Sequence, residues 1–395
     1  MRRINFQSEL RNVFKEIGKI AKKLGFSVFL IGGPVRDILL GRSFQDIDVV
    51  CIGNAVKLAK VFSKRVRGEF IYKRRFPNAT VKWNNSAKVD FVSARSEVYP
   101  KNRVGLPRVR RTKDLMVDLK RRDFTVNAIA VDLNPENFGN IYDPFSGLED
   151  CQKRLLRILH PDSFREDPTR IFRAIRFSME LSFQIEENTK KLLQRDLKYL
   201  KQLSQKRLWT EIKLCFRDGS DVLNYLKKYG VLKVLGFAYP GQGFLERVDV
   251  GSLQFDVSPV NTLIIALLEK KPLRSFNFEK SFIQQIKYVR EINNKVLRNI
   301  EVVHKLFKLE DYSLLYLFAR YPKNSIIIEN FFDNREKLQP ELTGEDIMNL
   351  GVEESPAIGL LKKRIIEGKW IGKISDRIEE VDLVERYLEG KDVGW

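Results

Sequence analysis

The feature that most restricts how this chain can fold is a change of hydrophobic period near Phe164. Before it, short apolar runs alternate with turn residues and helical patterns. Phe26 to Ile31, Asp46 to Ile52, Ala79 to Trp83, Val89 to Ser93 and Asn127 to Leu133 each read as a strand in a mixed α/β unit. After it, apolar residues return at helical spacing. Ile171, Ala174, Ile175 and Ser178 share one face, and Leu192, Leu200, Leu203 and Leu208 follow with helical flanks. The pattern predicts an α/β N-terminal head over 1–150, then an all-α neck (151–235), body (236–338) and tail (339–395). Breaks are expected near Tyr239-Pro240-Gly241 and Gln339-Pro340.

Charge narrows the partners. Lys and Arg total 71 against 51 acidic residues, a net charge of +20. Self-repulsion on that scale is best offset by binding a polyanion, since each neutralised phosphate releases counterions. The three cysteines, Cys51, Cys151 and Cys215, have no paired spacing and read as reduced core thiols. With only His160 and His304 present, a histidine metal centre or a His-dependent triad is excluded. Any metal must be held by carboxylates, which favours Mg²⁺. No apolar run is long enough for a membrane span and the N-terminus has no signal core, so a cytoplasmic protein without membrane attachment is expected.

The chemistry concentrates in two places. Asp46 and Asp48 lie two apart on an expected strand, so both carboxylates project from one face. They repel unless a cation lies between them, the arrangement that a two-metal phosphoryl-transfer site requires, with a third acid from a neighbouring strand. Asp90 is the candidate for that third position. Upstream, Gly32-Gly33-Pro34-Val35-Arg36-Asp37 reads as a strand end, a glycine turn and a helix start. There backbone N–H groups and Arg36 can approach a phosphate. The segment has neither the dinucleotide fingerprint nor the P-loop pattern.

The run IGGPVRDILLGRSFQDIDVV resembles the signature of class II tRNA nucleotidyltransferases and bacterial poly(A) polymerases of the DNA polymerase β superfamily. Three further motifs follow in that family's order: Arg121-Arg122-Asp123-Phe124-Thr125-Val126-Asn127-Ala128, Asp143-Pro144-Phe145-Ser146-Gly147, and Glu166-Asp167-Pro168-Thr169-Arg170 continuing to Phe177. A weaker match is Leu342-Thr343-Gly344-Glu345-Asp346 with Pro356-Ala357-Ile358-Gly359. The resemblance implies a nucleotidyltransferase head with a polymerase β-like mixed sheet. It implies untemplated addition of C and A from CTP and ATP to the 3′ end of tRNA, with release of pyrophosphate. It also implies two Mg²⁺ ions on Asp46 and Asp48, a ribose grip by Arg122 and Asp123 with Asn127 beside them, and a neck helix that selects the nucleotide.

In that scheme Asp167 and Arg170, three apart on one helix face, read the base edge as a protein template. Cytosine and adenine each offer an amine beside an acceptor; uracil and guanine offer the reverse. Arg173 and Arg176 would hold the triphosphate. Asp167 before Pro168 also suits a helix cap. The densest basic segment, between Tyr99 and Arg122, carries Lys101, Arg103, Arg108, Arg110, Arg111, Lys113, Lys120, Arg121 and Arg122, where family members have a flexible loop. The helical body and tail are expected to take the acceptor stem and T-arm by shape and charge.

Val117 departs from the family pattern, and the fifth motif around Ser204-Gln205-Lys206-Arg207 and Glu211 is only partly kept. Alternatives are an enzyme that adds only A or only CC, then a poly(A) polymerase, then a non-catalytic RNA-binding protein. Oligomeric state is not legible.

Overall fold

The computed structural model describes residues 3–44, 46–73, 78–83, 87–100, 106–273, 276 and 278–395. Lys101 and Arg103 of the basic segment lie outside them. The chain forms two compact units, Met1–Glu211 with Tyr229–Leu235, and Ile212–Lys228 with Gly236–Trp395.

The first unit opens with α1 (Ser8–Lys23), β1 (Ser27–Ile31), α2 (Gly33–Leu39), β2 (Asp46–Ile52) and α3 (Ala55–Val66). Then come β3 (Glu69–Lys73), β4 (Asn78–Trp83), β5 (Ala87–Ser93), the hairpin strands β6 (Arg95–Val98) and β7 (Arg108–Arg111), and α4 (Leu115–Lys120). Seven strands form one sheet in the order β3-β4-β5-β2-β1-β8-β9, where β8 is Ala130–Asp132 and β9 Ile141–Tyr142. Within it β2 and β5 run parallel, and the other neighbours are antiparallel.

The strand period divides the sheet's faces. Val28, Leu30, Val49, Cys51, Val89 and Phe91 are fully or almost fully buried. Phe62 of α3 meets Phe91 and Trp83 with ring centroids 5.5 Å apart. Asn54 caps α3 by accepting from the Lys57 amide at 3.1 Å, and Arg67 ends it in the left-handed conformation. On the opposite face Phe29, Ile31 and Val50 pack with Leu119, Ala128 and Ala130, and this face also carries Asp46 and Asp48. Burying that layer fully is worth roughly 1.5–3 kcal/mol per large side chain.

The expected strands are present, with one correction. Asn127 lies not in a strand but in the single 3₁₀ turn Thr125–Asn127 that precedes β8. The buried carboxylate of Asp150 fixes this turn by accepting from Thr125 Oγ1 at 2.6 Å. The third motif is an end-cap: Asp143 accepts from the amides of Gly147 and Leu148 at 2.7 and 2.9 Å, starting α5 (Gly147–Gln152).

Helices follow: α6 (Ser163–Glu166), α7 (Thr169–Glu180), α8 (Glu187–Asp196) and α9 (Gln205–Cys215). The expected all-helical neck also contains a two-stranded parallel piece, Leu155–Leu156 with Gln184–Ile185. Among its described residues the second unit has helices and no strand, from Val222–Lys228 to Arg377–Leu388. Its C-terminal part has its own core of Leu342, Ile347, Leu361, Ile365, Leu383 and Val384. Thr343 and Asp346 form a reciprocal capping box there. The cysteines are free and buried, and burial pushes Cys51 and Cys151 up to about 12. No described helix is long and apolar enough to cross a membrane.

Candidate active site

The parallel pairing of β2 with β5 sets Asp48 opposite Asp90 and Asp46 opposite Lys88. All four side chains therefore leave the same face. Asp46 is largely exposed, and Lys88 donates to it at 3.2 Å and lies 3.0 Å from Asp90. Thr80 of β4 donates its hydroxyl to the other oxygen of Asp90. Asp48 is more enclosed. Burial raises its pKa, Arg122 opposes, and the negative neighbours Asp90 and Asp46 add to the rise against Lys88.

This donor set suits a hard divalent cation: three oxygen donors, one of them held high in pKa by burial and negative neighbours. As the side chains stand, no three acidic groups among the described residues converge on a single point, and the Lys88 ammonium occupies two of the carboxylates.

Gly32 follows β1 directly, with φ at +75°, and α2 starts at the next residue with Pro34 in its first turn. A Cβ at Gly32 would lie 3.2 Å from an Arg122 nitrogen, so the glycine admits that guanidinium to the turn. Arg122 donates to the fully buried Asp118 at 3.2 Å, and its buried Nε has no hydrogen-bond partner among the described residues. Asp118 also accepts from Arg121 and from the Arg95 amide. Burial raises its pKa, but Arg122 and Arg121 more than offset that and it falls below the ordinary value.

Arg122 and Asp123 are adjacent in sequence but bond elsewhere. Asp123 takes Arg173 Nε at 2.7 Å and Nη2 at 2.5 Å on one oxygen. Its other oxygen accepts from Asn127 at 3.1 Å and the Phe124 amide at 2.9 Å. Burial pushes this carboxyl up, but Arg173 and Asn127 outweigh it and bring it to about 2. Asn127 in turn accepts from Arg36 at 2.9 Å, and Arg36 forks onto Asp37 at 2.9 and 3.0 Å. The Phe177 ring joins this chain. The guanidinium carbons of Arg36, Arg173 and Arg176 lie 5.3, 5.1 and 4.8 Å from its centroid.

Asp167 lies between α6 and the Pro168 that starts α7, accepting from the Thr169 amide at 3.1 Å and hydroxyl at 2.7 Å. Its ionic partner is Arg207 of α9, which donates at 2.9 and 3.1 Å. Arg170 is buried and turned away, donating to Ser163 Oγ at 2.6 Å and the Arg121 carbonyl at 2.7 Å. The structure thus gathers Gly32, Arg36, Arg122, Asp123, Asn127 and Arg173 into one connected region, whereas Asp167 and Arg170 meet only through the backbone, the Arg170 amide donating to the Asp167 carbonyl at 3.0 Å. Arg176 pairs with Glu180 at 2.7 Å. Glu211 of α9 lies among Arg173, Arg176 and Arg207; burial raises its pKa, and its Oε2 has no hydrogen-bond partner among the described residues.

Sequence reasoning missed Lys88, Thr80, Asp118 and Phe177. Phe177 closed the fourth motif and Arg207 lay in the fifth, so those two had a local signal. Lys88 belongs to no motif, and only the register reveals it and sets Thr80 opposite Asp90.

The family described as the poly(A) polymerase head domain matches residues 28–157. An A-adding tRNA nucleotidyltransferase of Halalkalibacterium halodurans is 30% identical over 87% of this chain and 84% of its own length. An A-adding tRNA nucleotidyltransferase of Geobacter sulfurreducens is 29% identical over 95% of this chain; the chain spans about half of that relative, 47%. A CCA-adding enzyme of Enterococcus faecalis is 24% identical over 96% of this chain and 94% of its own. Among solved structures, an apo form of a CCA-adding enzyme superposes with a TM-score of 0.85 at 26% identity, covering 97% of this chain and 96% of that one. A CCA-adding enzyme in complex with CTP gives 0.81 at 25% identity, with the same coverage.

Proposed function

Since the chain belongs to the tRNA nucleotidyltransferase family, we propose that it completes the 3′ end of tRNA, adding C and A from CTP and ATP without a template. The observation that carries the reading is the Asp48–Asp90 register beside the Gly32–Arg122 contact, on a sheet shared with CCA-adding enzymes.

In this reading Asp46 and Asp48, with Asp90, would hold divalent cations, Mg²⁺ in our assignment. Bound there, they would favour the ionised 3′-hydroxyl and neutralise triphosphate charge. The 3′-hydroxyl attacks the α-phosphate in line, the new phosphodiester forms as the α–β bond breaks, and pyrophosphate leaves. The Gly32-Gly33 turn lies beside the nucleotide with Arg36 and Arg122, the Gly33 amide as the backbone donor, since the Gly32 amide bonds the Ile129 carbonyl. Arg122 and Asp123, braced by Asn127, address the sugar, and Arg173 and Arg176 the triphosphate. Asp167 accepts the amine common to cytosine and adenine, and Arg170, after leaving Ser163, supplies the donor beside it. Residues 1–150 serve as the catalytic head and 151–235 as the nucleotide-selecting neck. Residues 236–338 are the body and 339–395 the tail, which bind the acceptor stem and T-arm, in the cytoplasm.

A second reading, addition of the terminal A alone, is favoured by the A-adding relatives at 29% and 30% identity. Three tRNA transcripts, ending before CCA, after C and after CC, separate the two when incubated with Mg²⁺, CTP and ATP. Completion of all three to CCA supports the first reading. Extension of only the CC-ended transcript replaces it with the second, and no extension anywhere overturns both.

A further inference from the structure

Lys88 is a cation already present between two of the site's carboxylates. It stands opposite Asp46 and two residues before Asp90 on the same strand face. Its Nζ lies 3.2 Å from Asp46 Oδ1 and 3.0 Å from Asp90 Oδ2. The side chain is only partly exposed, so the ammonium works at an effective dielectric below that of water. A divalent cation needs the same oxygens at shorter range, and two cations cannot share them without strong repulsion.

We propose that Lys88 is an internal counter-ion that competes with the divalent cation for Asp46 and Asp90. It is a positioning residue: it keeps the two carboxylates together while no divalent ion is bound, and it lowers their affinity for one. Entry of the cation then requires the ammonium to swing off both oxygens. This rests on the assignment of Asp46, Asp48 and Asp90 as cation ligands.

The test is Mn²⁺ binding to the full-length protein without nucleotide, followed by loss of the free-ion electron paramagnetic resonance signal. Lys88→Met and Lys88→Gln should each bind Mn²⁺ about tenfold more tightly than wild type, and Lys88→Arg should stay near wild type. The Tm rise caused by Mn²⁺ should be larger in the Met and Gln variants. Unchanged or weaker Mn²⁺ binding in both, with binding still lost in Asp48→Ala, overturns the competition and leaves the ligand assignment standing. Mn²⁺ binding unaffected by Asp48→Ala would remove the ligand assignment and the inference with it.

Discussion

Arg207 holds Asp167 from α9, 40 residues away in sequence, with both oxygens within 3.1 Å of one guanidinium nitrogen. Arg170, one turn along from Asp167, bonds elsewhere. The two arginines therefore separate by experiment. Arg207→Ala should lower kcat/KM for CTP and ATP alike, about tenfold, while UTP and GTP remain excluded. Arg170→Ala should admit UTP or GTP, eroding discrimination by roughly 10–100-fold, the value of a bidentate base contact. Single-nucleotide incorporation with each of the four triphosphates decides; unchanged selectivity in Arg170→Ala removes it from base reading.

Asp46 and Asp48 share a sheet face with Asp90 and belong to no hydrophobic core cluster, so removing one carboxylate leaves the packing of the head in place. Asp46→Ala and Asp48→Ala should each reduce incorporation by about 1000-fold, several kcal/mol of lost charge stabilisation, while tRNA affinity in a filter-binding assay stays within about twofold. Near wild-type incorporation would dismiss the carboxylate assignment.

Asp123 is buried, and Arg173 and Asn127 draw its pKa down from the ordinary carboxylate range to about 2. A depressed carboxyl contributes stability that is complete above its unfolded pKa and lost as pH falls through the folded one. The window is thus about pH 4 down to 2, and the amount roughly 2 kcal/mol. Asp123→Asn should destabilise at pH 7 by about 3 kcal/mol, since Arg173 loses its partner. The gap to wild type should narrow through that window. Urea unfolding followed by circular dichroism at pH 7, 4 and 2.5 measures it; a gap independent of pH would show that the carboxylate charge is not what stabilises.

Phe177 offers three guanidinium groups one ring. Phe177→Leu keeps most of the apolar volume and removes the ring quadrupole. It should raise KM for CTP and ATP about tenfold with a smaller change in kcat, and Phe177→Tyr should restore it. Equal losses in Leu and Tyr variants would reduce the residue to a packing role.

What could be read in advance follows from locality. Asp46 and Asp48 were legible because strand period alone puts them on one face. The turn at Gly32 was legible because it is a backbone requirement carried by one residue. Arg122 and Asp123 were found as a pair, yet the chain bends between β7 and β8 so that each bonds a different partner. The Arg207–Asp167 and Lys88–Asp46 contacts bring together residues from separate elements; the fifth motif marks Arg207 but not its partner, and nothing beside Lys88 announces its contact. Asn127 reads as strand because its apolar run continues into β8, but the buried bond from Thr125 to Asp150 fixes a 3₁₀ turn there instead.

The parallel seam between β2 and β5 also bears on the order in which the protein matures. A parallel pair cannot close by a hairpin, and here α3, β3 and β4 intervene before β5 arrives. Contacts of that separation pay their loop entropy before any reward and form late. Emerging from the ribosome, the chain would carry Asp46 and Asp48 some time before Asp90 and Lys88 join them. Catalytic competence would then be among the last properties the nascent head acquires, and a half-made molecule would be an idle one.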